Sequence, residues 1–370
     1  MWLLERIYSL RMFNPEKIDI VYLWVDGNDP VWRQKRQTSL NQLSAEDRSS
    51  IAKYGNVEGR FRDNDELRYS LRALEQYFPD CGHVYIVTDG QTPTWLQNSA
   101  NASAQISVID HKDLIPASKL PTFDSANIES YIHRIPNLSE RYFYLNDDVF
   151  FGSPVDVSHW FNQKGTQDGI CVGWSDDLPV SNQGLQPDAT ALENACRLSI
   201  QWLEAHSAKT ADDTHTYRTF AHSPRPMLKS MLVALETEAA DLFDSVRSTV
   251  FRAWNKPTIV SDFVMRWALV NGQATVRDYS HIYLSTGDVQ NTAQLDGFLA
   301  AEGRLDFFCI NDTTDDADNL DPRLAMVQAA LQTMFPKASR YEKQPKSSET
   351  HATSVNFKRS GKYQAGRFTS

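Results

Sequence analysis

The sequence contains no Gly-x-Gly-x-x-Gly run and no P-loop, which excludes an ordinary dinucleotide-binding fold and a P-loop nucleotidase. Cysteine is scarce. The four residues Cys81, Cys171, Cys196 and Cys309 lie far apart and form no Cys-x-x-Cys pair. That spacing argues against a zinc site and a disulfide framework, and it fits reduced thiols in a cytosolic compartment. The Asn-x-Ser/Thr triplets at Asn101, Asn137 and Asn311 then read as chance matches. No stretch approaches the roughly 20 apolar residues that cross a bilayer. The first residues, from Met1, are mildly amphipathic but lack the apolar run and small-residue cleavage site of a signal peptide. These absences predict a cytoplasmic protein whose membrane contact, at the inner face, is peripheral at most and made through its termini. A basic excess is missing too: 37 Lys and Arg face 47 Asp and Glu, a net charge of −10. Nucleic acid is therefore not an expected partner. A phosphate-bearing substrate stays open, because local charge and bound metals set a pocket's field.

What is present is a globular composition, 41% hydrophobic and 23% charged over 370 residues, enough for a substantial core. Residues 18 to 25 are β-branched and aromatic and end at Asp26 and Gly27, which reads as a buried strand entering a turn. Residues 30 to 62 are polar and read as a mobile connection. Asp65 and Glu66 open an amphipathic helix through Leu67, Leu71, Leu74 and Tyr77, stopped at Phe78 and Pro79. Short apolar runs at 84–88, 106–109 and 142–145 predict further strands, with a helix over 125–134. Strands alternating with helices predict an α/β fold: a mostly parallel twisted sheet flanked by helices, with chemistry at the strand C-terminal ends. From 189 to 272 the pattern turns helical (192–205, 226–243, 259–270) and reads as an insertion in a catalytic domain spanning 1–336. A strand pair is expected within 274–284, and residues 307–312 return to the core. Residues 337–370 carry eight basic and two acidic side chains, a net +6, and read as a flexible tail.

Several segments carry candidate chemistry. Tyr144 to Val149 is a hydrophobic strand ending in Asn146, Asp147 and Asp148. Adjacent carboxylates at a sheet edge suit a divalent cation that offsets diphosphate charge, although solvated aspartates would look the same. Asp26, Gly27, Asn28 and Asp29 also follow a strand, but Asp-Gly and Asp-Pro make ordinary turns. In the run Arg60 to Tyr69, Asp65 could cap the helix, while arginines beside acids could form a phosphate loop. His222, held among Pro224, Pro226 and Arg225, has the side chain of a neutral-pH base, though a lone histidine is more often a packing residue. Arg252 could clamp a phosphoryl oxygen or form a structural ion pair, with Asp262 a candidate partner.

Taken in order, these segments resemble the Stealth family, which comprises bacterial capsule sugar-phosphate polymerases and the catalytic subunit of the animal lysosomal-enzyme N-acetylglucosamine-1-phosphotransferase. The resemblance runs through residues 18–30, then 60–72, 84–96, 120–123, 128–130 and 144–148. It continues from Asn194 through His222 to Arg252 and Asp262, and ends with Cys309 to Asp312. It departs most at 254–261, which is longer and more apolar than the family's usual link. The resemblance implies transfer of hexose 1-phosphate or N-acetylhexosamine 1-phosphate from a UDP-sugar to a glycan hydroxyl, with UMP leaving, in capsule or other surface polysaccharide synthesis. It implies His222 as base, Arg252 on the phosphoryl oxygens, and Asp147, Asp148 and Glu129 holding Mg²⁺ (or Mn²⁺) or orienting substrate. Asp26, Gly27, Arg62, Asn64 and Asp65 would line the donor pocket. Rival expectations are a metal-dependent glycosyltransferase releasing UDP, disfavoured by the lack of Asp-x-Asp, and a non-catalytic carbohydrate-binding protein.

Overall fold

The fold is described from a computed structural model, for residues 17–97, 105–164, 167–177, 179–206, 217–289, 292–312, 314–318 and 320–343. The amphipathic N-terminus and most of the basic tail lie outside the described residues. The central sheet contains β1 (Asp19–Leu23), β2 (Val84–Thr88), β3 (Ile106–Asp110), β4 (Arg141–Asn146) and an edge strand at Arg225–Leu228, in the order β3-β2-β1-β4-edge. The first four strands are parallel and the edge strand is antiparallel to β4. Every residue of β1 and β2 is buried. A strand covered on both faces needs apolar side chains throughout, which is why these segments read as continuous hydrophobic runs rather than alternating ones.

Two smaller sheets complete the α/β body. β5 (Val149–Phe151), reached from β4 through Asp147 and Asp148, pairs antiparallel with a strand at Phe307–Asn311, which in turn pairs parallel with one at His281–Ser285. β6 (Phe161–Lys164) and β7 (Gln167–Val172) form a hairpin, and β7 pairs with a strand at Ala274–Val276. In chain order the remaining strands are β8 (Arg225–Leu228), β9 (Ala274–Val276), β10 (His281–Ser285) and β11 (Phe307–Asn311). The expected strand pair within 274–284 is thus two strands in different sheets. One hydrophobic cluster runs through all three sheets.

The helices are α1 (Pro30–Gln42), α2 (Ala45–Ser49), α3 (Glu66–Tyr77), α4 (His111–Leu114), α5 (Ser125–Glu129), α6 (Ala191–His206), α7 (Lys229–Glu238), α8 (Ala240–Val246), α9 (Val264–Val270), α10 (Thr292–Leu299) and α11 (Pro322–Met334). None of the described helices is long and apolar enough to cross a membrane. Residues 30–62 are not a mobile connection. Asp29 caps α1 by accepting from the Val31 and Trp32 backbone N–H groups at 2.8 and 3.4 Å, and Pro30 supplies the preset first helical φ. Asp65 does occupy the cap position of α3, but in a left-handed conformation (φ 66°) with no side-chain capping bond. Between 189 and 272 the described residues form α6, α7, α8 and α9, with β8 taking residues expected to start a helix and adding them to the central sheet.

Residues 337–343, expected in the tail, pack on α3. Glu342 is 2% exposed and accepts from Arg72 Nε (2.7 Å), Arg72 Nη2 (2.8 Å) and Arg68 Nε (2.7 Å). Burial alone would raise its carboxyl, but the bonds from Arg72, the Ser339 backbone N–H and Arg68 hold it down to about 2. A carboxyl depressed in the folded state adds stability above its ordinary pKa of 4.5 and loses it as pH falls toward 2. Glu342→Gln is expected to destabilise the fold by about 3–5 kcal/mol at pH 7, because it strands two arginines against one missing partner. Chemical denaturation between pH 7 and pH 3 should show that difference shrinking as the carboxyl of the unfolded wild-type chain takes up its proton.

Candidate active site

Because β1 to β4 run parallel, their C-terminal ends open on one edge of the sheet. A cavity of about 280 Å³ lies there. Its carboxylate wall comes from the β4–β5 connection. Asp148 Oδ2 accepts from Asn311 Nδ2 at 2.8 Å and faces the Cys309 thiol at 3.5 Å, while its Oδ1 is buried without a hydrogen-bond partner. Burial pushes the Asp147 carboxyl well above its usual range, and Asp148, Glu66 and Asp63 push it further. Glu66 is raised to about 8 by burial and Asp63, and Asp63 to about 7 by burial and Asp65. Carboxylates crowded in this way need a cation to ionise together. The orphaned Asp148 oxygen and the acids around it are hard donors that fit Mg²⁺ or Mn²⁺. His222 and Cys309 also converge on Asp148, and burial and Asp148 push the Cys309 thiol up.

His222 lies across from this wall. Its Nε2 is 3.2 Å from Asn146 Oδ1 and 3.6 Å from Asp148 Oδ1. Burial lowers its pKa and Arg225, Arg252 and Arg60 lower it further, against the pull of Asp148. The imidazole is therefore neutral at pH 7. Glu129, 1% exposed at the end of α5, accepts from Tyr144 Oη at 2.9 Å and Ser261 Oγ at 3.2 Å. Ser261 sits in a π-helical turn over Ile259–Phe263, an insertion common at functional sites. The same turn carries Asp262, which pairs with Arg266 at 2.9 Å, so Asp262 is not the partner of Arg252.

The cationic wall is built from two distant segments. Arg60 and Arg252 both donate to Ser125 Oγ, Arg60 at 3.2 Å. Arg252 Nε lies 3.5 Å from the buried Asp124, and Arg60 Nε is buried with no hydrogen-bond partner. Burial and the neighbouring Arg252 lower the Arg60 pKa to about 9. Arg225, 2% exposed, pairs with no carboxylate among the described residues; its Nη1 is 3.6 Å from Met265 Sδ. One buried and two half-buried guanidiniums so placed suit an anion.

An aromatic cluster holds this wall in place. Trp32 of α1 packs on Phe61 and Phe123 with ring centroids 5.3 and 5.4 Å apart, and Phe123 stacks on Phe251 at 5.2 Å. Phe61 and Phe251 each adjoin one of the arginines. Backbone bonds from Phe123 N–H to Val250 O (2.7 Å) and from Ala52 N–H to Arg252 O (2.8 Å) fix the second strand of chain.

Of the residues singled out in the sequence, His222, Arg252, Asp147, Asp148, Glu129 and Arg62 line the cavity, whereas Asp26, Gly27, Asn64 and Asp65 do not. Arg62 is committed elsewhere: it pairs with Asp312 and donates to Thr314 Oγ1 at 3.0 Å and to Ala317 O at 2.6 Å. Asp26 accepts from the Asn28 N–H at 2.8 Å, closing its turn. Gly27 donates to Phe61 O at 2.7 Å, and a Cβ there would lie 2.1 Å from that oxygen. Asn64 donates to Glu66 Oε1 at 2.8 Å, and Asp65 accepts from Gln328 Nε2 at 3.2 Å. These four position the loop rather than face the cavity. Arg60, Arg225, Asp63 and Glu66 were missed; the only signal for Arg60 was its place beside Arg62.

Family models of the Stealth protein match conserved region 1 at residues 16–44, conserved region 2 at 60–169 and conserved region 4 at 301–352. The chain is 35% identical over 336 residues to an exopolysaccharide phosphotransferase of Streptomyces coelicolor, covering 88% of this chain and 52% of the relative. It is 32% identical over 327 residues to another from that organism, covering 88% and 33%. It thus spans a third to a half of those relatives. The capsular polysaccharide phosphotransferase fcs1 of Haemophilus influenzae is 30% identical over 314 residues, covering 84% of this chain and 82% of that one. With the matched regions delivering Arg60, Asp147, Asp148 and Asn311 to one cavity, the chain belongs to the Stealth family.

Proposed function

We propose that this protein transfers a hexose 1-phosphate or N-acetylhexosamine 1-phosphate from a UDP-sugar to a glycan hydroxyl. UMP is released and a phosphodiester forms, in the synthesis of a capsule or other surface polysaccharide at the cytoplasmic face of the membrane. The observation that carries this reading is the shared cavity: Arg60, Arg225 and Arg252 on one wall, paired carboxylates on the other, and a neutral histidine between them. A diphosphate asks for that arrangement, with guanidiniums for its oxygens and a cation at the acids. The names of the relatives support the same class.

The acceptor hydroxyl gives its proton to the neutral imidazole of His222 as its oxygen attacks the phosphorus that bears the sugar. The bond from that phosphorus to the bridging oxygen breaks, and the bridging oxygen leaves with UMP. The sugar's anomeric C–O bond is untouched, so its configuration is kept. Arg60 and Arg252 meet the equatorial phosphoryl oxygens, and their mutual repulsion makes bound negative charge doubly favourable. Arg225 backs them from β8. Mg²⁺ held by Asp147 and Asp148 would neutralise the diphosphate. Glu129, tied to Tyr144 and Ser261, supplies negative charge close to Arg60 and Arg225.

The deciding experiment follows nucleotide release from UDP-sugars with a mixed glycan acceptor, and reads the product by ³¹P resonance. Metal-dependent UMP with a phosphodiester signal is expected; UDP would establish glycosyl transfer and sink this reading. His222→Ala should lower kcat by about 10²–10⁴, the usual loss of a general base. Arg60→Ala should cost about 10²–10³ in kcat with little change in melting temperature, as expected for a donor to the transition state. Arg62→Ala should instead lower the melting temperature, since it leaves the buried Asp312 unpaired at a cost of about 3–5 kcal/mol. Added Mg²⁺ should raise the melting temperature of the wild type, by about 2.7 kcal/mol of stability at 100 times its dissociation constant. Asp148→Asn should abolish that gain.

A further inference from the structure

Three side chains of unlike chemistry meet where β4 passes into β5. Asp148 stands in that connection, Cys309 lies on β11 opposite Val149, and His222 comes from the loop before β8. The Ile310 N–H donates to Asp148 O at 3.0 Å and fixes the first two segments against each other. One donor atom from each of the three side chains lies within 4.8 Å of the others. His222 Nε2 is 3.6 Å from Asp148 Oδ1, and Cys309 Sγ is 3.5 Å from Asp148 Oδ2. Tetrahedral bonds from zinc to oxygen, nitrogen and sulfur put neighbouring donor atoms about 3.3–3.6 Å apart. Two of the contacts are thus already at ligand spacing. None of the steps above uses the Cys309 sulfur. It is 1% exposed, while Asp148 and His222 line the cavity from which an ion enters.

Mg²⁺ takes oxygen ligands, whereas one oxygen, one nitrogen and one sulfur together suit a borderline-soft cation such as Zn²⁺ or Co²⁺. Asp148 Oδ1 is the buried oxygen left without a hydrogen-bond partner, and a neutral imidazole offers a ring-nitrogen lone pair. Asn311 Nδ2 holds the other Asp148 oxygen at 2.8 Å, as an outer partner orients a metal-bound carboxylate. We propose that Asp148, His222 and Cys309 form a three-ligand site for Zn²⁺ or a like cation, and that filling it switches the enzyme off. The fourth position opens on the cavity. Binding forms one bond each to oxygen, nitrogen and sulfur and releases the thiol proton to solvent, with no change of oxidation state. The charge of the cation outweighs the burial and the carboxylate that otherwise keep that proton on sulfur. The bound ion occupies the His222 lone pair that takes the acceptor's proton, and it draws Asp148 away from Mg²⁺. The loss of activity rests on the sugar-phosphate reading; the binding of the ion does not.

The test titrates the full chain with Co²⁺ in thiol-free buffer, reads the sulfur-to-cobalt charge-transfer absorption, and then adds Zn²⁺. One equivalent of Co²⁺ is expected to saturate the band and Zn²⁺ to abolish it. Cys309→Ser should remove the band and weaken Zn²⁺ at least about tenfold, while Mg²⁺ still raises that variant's melting temperature. A wild type without the band, or a band that survives Cys309→Ser, would overturn the site. If Cys309→Ser melts early, His222→Ala serves in its place. It keeps the sulfur but should weaken Co²⁺ and Zn²⁺ about tenfold or more, and unchanged affinity counts against the proposal. In the transfer assay, Cys309→Ser should need at least about ten times more Zn²⁺ than the wild type for the same fractional loss; equal sensitivity would overturn the switch. A cobalt band without any transfer would remove only the reaction proposed above, whereas transfer without a cobalt band would remove this inference alone.

Discussion

Two like charges held together underlie this site. Arg60 and Arg252 reach the same Ser125 hydroxyl although they come from segments nearly two hundred residues apart, and Arg252 makes the charge on Arg60 harder to keep. Nothing in the guanidiniums themselves would hold that geometry. The aromatic cluster of Trp32, Phe61, Phe123 and Phe251 does, by packing the residue next to each arginine into one apolar contact. The energy of burying those rings is spent on preorganising positive charge where an anion is to bind.

The opposite wall stores the opposite strain. Asp147, Asp148, Asp63 and Glu66 are drawn together by the end of β4 and the start of α3, and burial raises several of them into the neutral range. Each wall alone is unfavourable, and a diphosphate with its cation satisfies both at once. The neutral His222 lies between them because burial and three arginines outweigh its one acidic neighbour. Ground-state strain of this kind is characteristic of sites whose ligands complete the electrostatics.

Comparison of particular residues shows where local reasoning stops. Both Arg60 and Arg62 sit in one acidic run, and sequence favoured Arg62 as the donor ligand. In the fold both line the cavity, but Arg62 is committed to Asp312, Thr314 and Ala317, whereas Arg60 keeps a buried Nε without a hydrogen-bond partner. Which of the two is tied up depends on Asp312, which is 250 positions from Arg62. Residues 30–62 read as a polar, mobile connection, yet the Asp29 cap, the Pro30 start and the buried Trp32 are enough to order α1. The helix was missed because its apolar anchor is a single residue rather than a stripe.

The sequence by itself determined the parallel α/β class, the strand ends that carry the carboxylates, and the family. Those features depend on short-range patterns: buried strands need continuous apolar runs, and parallel strands place their C-termini on one edge. Only the tertiary structure decided which polar side chains share the cavity. It paired Asp262 with Arg266 instead of Arg252, brought β8 and its Arg225 to the edge of the central sheet, and set His111 beside Asp89. The reason is physical: a charged side chain's role is fixed by which opposite charge it meets after burial, and that partner is chosen by packing across long stretches of chain.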